Sequence, residues 1–134
     1  MKYTITWPLL ALTFLVVAGL YGGATTCVSN KKFKVKQACG TVTDPTGVPI
    51  PKVDIELLDN QSVVLERAIT DEDGRFNVPN VAKGEYVIRA KSLYFVVAWQ
   101  PIIVTKKSTN SRCSKPIEVR LDLAGRCSSV SKPR

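Results

Sequence analysis

The sequence predicts an all-β sandwich, exported and stapled by disulfides, on three observations. After Cys39 apolar and polar residues alternate with period two, the pattern of half-buried strands. Clusters of Asp, Pro, Asn and Gly break that alternation at short intervals, as turns do. Four cysteines, an even number, all follow one apolar segment near the start of the chain. The 134 residues suffice for one domain, and 45% hydrophobic residues is too many for a disordered chain.

The first element is the apolar segment. Lys2 precedes the run Trp7 to Leu20, and the small residues Gly22-Gly23-Ala24 follow it. A charged start, an apolar middle and a small-residue end describe a secretory signal helix, with cleavage expected after Ala24. The rival is an uncleaved membrane anchor, because residues 5–24 are about long enough to span a bilayer. Lipid attachment at Cys27 is a third reading. It fits poorly, because Ala24-Thr25-Thr26 does not resemble a lipoprotein signal and three cysteines would be left over. The cysteines Cys27, Cys39, Cys113 and Cys127 agree with export and imply two disulfides. No two of them are spaced as a zinc-binding pair, and the chain has no histidine.

The organisation that follows is a signal peptide or anchor at 1–24, a basic extension at 25–38, the sandwich at 39–124 and a polar basic tail at 125–134. Residues 31–36 alternate weakly, enough for an added edge strand. Residues 39–43 read as the first strand of the sandwich. Asp44-Pro45-Thr46-Gly47 turns the chain, and Val48-Pro49-Ile50-Pro51 is an extended connection, since its prolines cannot donate to a ladder. In the strand 53–57, Val53, Ile55 and Leu57 share the inner face. Asp59-Asn60-Gln61 turns into a strand over 63–70, and Asp71-Glu72-Asp73-Gly74 turns into 75–78, with Phe76 and Val78 inward. Residues 85–90 form a strand with Tyr86, Ile88 and Ala90 on one face and Glu85, Val87 and Arg89 on the other. Residues 93–104 are the most apolar stretch; Pro101 is expected to break it and leave 102–104 as a strand. Residues 117–123 alternate with four aliphatics inward. The count is about seven strands, with no helix after residue 24.

Four segments, in order, resemble the carboxypeptidase regulatory-like domain family. The first is Gly40-Thr41-Val42-Thr43-Asp44 with Gly47, Pro49-Ile50-Pro51, Val53 and Ile55. The second is Thr70-Asp71 with Asp73-Gly74-Arg75-Phe76, and the third is Pro79-Asn80-Val81 with Gly84 and Tyr86. The fourth is the alternating stretch from Ile117 to Leu123. The resemblance implies a transthyretin-like (prealbumin-like), seven-stranded Greek-key sandwich whose first and last strands are neighbours. If those strands run parallel, Cys39 and Cys113 begin them at the same end, which favours Cys39–Cys113 and leaves Cys27–Cys127. Tyr86 is expected to act as a tyrosine corner, its ring inside and its hydroxyl on the backbone. The chain departs from the pattern at Leu93-Tyr94, where members often carry a Gly-aromatic pair; a strand extension is expected there.

Function is less legible. The net charge of +8 belongs to the two ends: residues 25–43 carry four lysines and no acid, and residues 106–134 carry eight bases against two acids. Such ends face anionic polymer or lipid, or simply keep the chain soluble. Nucleic acid is not expected, for want of any basic-aromatic groove motif. Without histidine a serine or cysteine nucleophile lacks its usual base, so no enzyme, cofactor or metal site is expected. Asp71-Glu72-Asp73-Gly74 lacks the further acids a calcium loop needs and reads as a hairpin turn. Tyr94, Phe95 and Trp99 are either sandwich core or an exposed platform for a sugar or a partner, with Trp99 the best surface candidate and Tyr94 beside it. The leading expectation is a non-catalytic module of the periplasm, cell surface or extracellular space, binding an envelope protein or serving a structural role. The alternative is a carbohydrate- or anionic-polymer-binding module. Membrane contact is expected only through residues 1–24.

Overall fold

Two sheets arise from the alternating segments. The structure, a computed structural model, describes residues 26–107 and 112–123. Its strands are β1 (Cys27–Val28), β2 (Phe33–Val35), β3 (Ala38–Thr43), β4 (Asp54–Leu58), β5 (Val64–Ile69), β6 (Arg75–Val78), β7 (Gly84–Lys91), β8 (Ala98–Val104) and β9 (Ile117–Arg120). One sheet, sheet A, has the order β1-β8-β7-β4-β5, with β2 also on β8; sheet B has the order β6-β3-β9. Between them lies one apolar core, with Val42, Ile55, Leu57, Phe76, Ile88, Ile102, Ile117 and Val119 all buried. No helix occurs among the described residues. The expected N-terminal helix and the tail at 125–134 lie outside them.

The strand count is nine among the described residues, not seven. Both additions come from the basic 25–38 stretch. β1 and β2 pair parallel to β8, with Cys27 opposite Ala98 and Phe33 opposite Ile102. Period two explains why so basic a stretch folds in: Phe33 and Val35 enter the core while Lys32, Lys34 and Lys36 stay outside. The weak alternation at 31–36 thus becomes β2.

Pro101 does not break β8, contrary to expectation. The strand runs through it, opposite Val87 of β7. Neither β1 nor β2 has a partner for residues 100 and 101, so the missing N–H is not needed in a ladder. The buried Gln100 side chain does the donating there: its Nε2 reaches Lys31 O at 2.9 Å and Pro101 O at 2.8 Å. Two smaller expectations also change. Leu93 and Tyr94 form a turn rather than a strand extension. β9 ends at Arg120, so Ile117, Val119 and Leu121 are buried but Leu123 is exposed.

One turn is used three times. Asp44, Asp59 and Asp71 each accept, through Oδ1, the N–H of the residues two and four further on, at 2.8–3.0 Å. In each, the residue three further on has positive φ: Gly47 at 88°, Ser62 at 63° and Gly74 at 68°. Glycine adopts that conformation without penalty, and Ser62 is the exception. Gly74 is further constrained, because a Cβ there would stand 2.7 Å from Val42 O.

Candidate functional site

The first and last strands of sheet B lie side by side and parallel, with Gly40 opposite Ile117 and Thr43 opposite Arg120. A Cβ on Gly40 would lie 2.2 Å from Ile117 O, so only glycine lets β3 and β9 approach this closely. That pairing brings Cys39 and Cys113 into a disulfide with Cα atoms 6.0 Å apart. No described cysteine is free. Cys127, the expected partner of Cys27, lies outside the described residues.

Thr70 joins two of the family-like segments. Its hydroxyl donates to Ile50 O at 2.8 Å and accepts from Val53 N at 2.9 Å, holding the proline-rich connection against the start of β4. Tyr86 donates its hydroxyl to Ala82 O at 3.1 Å while its ring packs on the core, as a tyrosine corner does. In the acidic turn, Asp71 is occupied by backbone N–H groups, and Asp73 holds Arg75 Nη1 at 2.9 Å. These hydrogen bonds hold the turn. No group of three or more metal-capable side chains converges among the described residues. A cleft of about 420 Å³ opens beside the disulfide, with Arg75 and Arg112 on its walls along with Asp71 and Asn77.

The two aromatic candidates are placed differently from each other. Tyr94 is 82% exposed, next to Leu93 at 93%, in the turn between β7 and β8. Trp99 is half-buried on β8, and the Arg89 guanidinium sits over its ring, 5.0 Å from the centroid. Tyr94, not Trp99, is therefore the more exposed aromatic. Phe95 packs against the core. Trp99 is no bare platform, because a cation already stacks on it.

Cross-strand register supplies what the sequence pass missed. Val28, Trp99, Arg89, Glu56 and Arg67 lie directly opposite one another, in a row that crosses sheet A on its outer face. Glu56 is buried in that row, between Arg89 and Arg67, although it faces away from the core. Arg89 donates through Nε at 2.5 Å and pairs through Nη2 with the same oxygen. Lys91 Nζ lies 2.9 Å and Arg67 Nη2 3.4 Å from the other oxygen. Burial pushes the Glu56 carboxyl up. Hydrogen bonds from Lys91 and Arg89, with their charges, outweigh that and hold it below the ordinary glutamate value. The only signal in the sequence was that Glu56 and Arg89 occupy outward positions; which strands are neighbours was not in it.

Sheet A ends at β5, which pairs with β4 alone. Its other side has no strand partner, and Leu65, Glu66, Arg67 and Ile69 of this strand are exposed, as is Val63 just before it. No curated protein sequence matches this chain. A family model, that of the carboxypeptidase regulatory-like domain, matches residues 39–113, a span that opens and closes on the two cysteines of the disulfide. Together with the glycine-mediated contact of β3 and β9 and the two-sheet core, that match over more than half of the sequence means that the chain belongs to the carboxypeptidase regulatory-like domain family.

Proposed function

We propose that this chain is an exported, non-catalytic β-sandwich module of the cell envelope that binds another protein along β5. The observation that carries the reading is the open edge of sheet A. β5 offers unpaired backbone groups along one side, and Leu65 and Ile69 stand exposed on it. An extended segment of a partner adds a strand to such an edge through main-chain hydrogen bonds.

A second copy of the chain is a poor occupant. In a two-fold antiparallel pairing, opposed residues share a face, so registers centred on the strand set Glu66 against Glu66 or Arg67 against Arg67. Like charges directly opposite each other destabilise the pair, which favours a different chain. The carbohydrate alternative has less support, since Arg89 covers Trp99.

The test places a photo-crosslinking residue at Ile69 and, as a control, at Thr46 on the turn after β3. One defined protein adduct from position 69 only, lost on Leu65→Lys, supports the reading. Adducts that form equally at both positions, or that survive Leu65→Lys, refute it. Retention on isolated envelope polysaccharide with no protein adduct favours the carbohydrate alternative instead.

A further inference from the structure

The outer faces of the two sheets differ in chemistry. On sheet B the outward residues of β3, β6 and β9 include Thr41, Thr43, Arg75, Asn77, Glu118 and Arg120, all polar. On sheet A, the corner formed by β1, β8 and β7 carries Val28, Trp99, Pro101, Ile103 and Val87 on the outside. Val28 is 62% exposed and the others are half-buried, with the Arg89 guanidinium over the Trp99 ring, so among the described residues this corner is a partly exposed apolar patch with a cation at its border.

Cations frame the patch. Lys32, Lys34 and Lys36 share one side of β2 and its flanks, and Lys34 lies level with Ile103. Arg89, Lys91 and Arg67 stand on the opposite border. Three acids share that face: Glu56 holds three of those cations, Glu85 holds Lys32 at 2.7 Å, and Asp54 stands opposite Lys91, which leaves the cations in excess. An apolar, tryptophan-bearing surface within a positive rim matches the boundary between acyl chains and anionic head groups.

The chain itself supplies a route to such a boundary. The apolar segment 5–24 ends three residues before Cys27, where β1 begins on the edge of this face. Three extended residues reach roughly 10 Å. With the segment in a bilayer, Cys27, at the start of β1, stands within about that distance of the head groups.

We infer that the outer face of sheet A lies on an anionic lipid surface, with Trp99 and its apolar neighbours at the interface, the lysines of β2 on the lipid phosphates, and residues 5–24 as the tether. Of the readings open to residues 1–24, this takes retention. It goes beyond the reading of β5 as a protein-binding edge: it rests on the β1, β8 and β7 corner of the sheet rather than on the backbone edge of β5, and lipid and crosslinking read the two separately.

The test reconstitutes the full chain, as the Trp7→Phe variant, in phosphatidylcholine vesicles with and without phosphatidylglycerol. Trp99 is then the one tryptophan left. Amine acylation is followed lysine by lysine, and Trp99 emission is read with brominated acyl chains. Lys34 and Lys36 are expected to label about fivefold more slowly on the anionic vesicles, with the protection lost in high salt. Lys52, remote from β2 in the chain, labels alike on both, and brominated lipid quenches Trp99. Equal labelling of Lys34 on the two vesicle types, or unquenched Trp99, overturns the assignment of the face. Release of the full chain by alkaline carbonate overturns the tether. The variant Lys34→Gln alters only an exposed side chain and should shrink the difference between vesicle types that is read at Lys36.

Discussion

The two edges of sheet A began with the same difficulty and reached opposite outcomes. An edge strand exposes a row of unpaired N–H and C=O groups. At β8 the row is covered by β1 and β2, which anchor Phe33 and Val35 in the core and close the seam between them with the Gln100 amide. At β5 the row stays open, and what stands there is a charged pair, Glu66 and Arg67, between exposed Leu65 and Ile69. The lesson is that both edges carry charge but use it differently. On β2 the lysines alternate with core residues, so the strand is held by burial and the charge faces water. On β5 only Ala68 packs on the core, so the strand depends on its ladder to β4.

That contrast can be broken most sharply at Phe33. Phe33→Ala is expected to cost about 3–5 kcal/mol in urea unfolding, because it empties a core site and releases β2. A loss below about 1 kcal/mol would mean that the cover on β8 contributes little. Next comes the seam. Gln100→Ala removes the donor to Lys31 O and Pro101 O and is expected to cost about 1–3 kcal/mol, with faster amide exchange in β1 than in β7.

Between the two edges, Glu56 adds a dependence on pH. Its carboxyl titrates below its ordinary value in the folded chain, so its contribution is complete above that value and is lost as pH falls through the folded one. Thermal unfolding of the native chain should therefore drop at acid pH more steeply than that of Glu56→Gln. Identical slopes would show that the carboxylate does not stabilise the row from Trp99 to Arg67. The smallest effect belongs to the open edge: Ile69→Lys should change stability by less than about 0.5 kcal/mol, since the side chain is already in solvent. A sixfold or greater gap between the Phe33 and Ile69 effects is the quantity that measures how differently the two edges are held.

Much of this was legible beforehand. Alternation placed Val53, Ile55 and Leu57 on one buried face, and the aspartates placed the turns, because both signals are local and depend on neighbours within five residues. The glycine signature foretold the closeness of β3 and β9 only through the family resemblance. Single-residue rules misjudged two places. Pro101 looked like a breaker, yet the gap between β1 and β2 tolerates it. Leu123 looked like core, yet the chain leaves the sheet after Arg120.

What the sequence by itself determined was the class of fold, the position of its turns and most of its inward residues, since period two and turn chemistry act over short distances. What only the tertiary structure decided was who stands beside whom. Trp99 meets Arg89, and Glu56 gathers three cations, through strand order and register. The difference between a covered edge and an open one likewise rests on pairings between residues some 70 positions apart, such as Cys27 with Ala98 and Phe33 with Ile102. Contacts of that kind are set by how two sheets close on a shared core, and no local pattern encodes them.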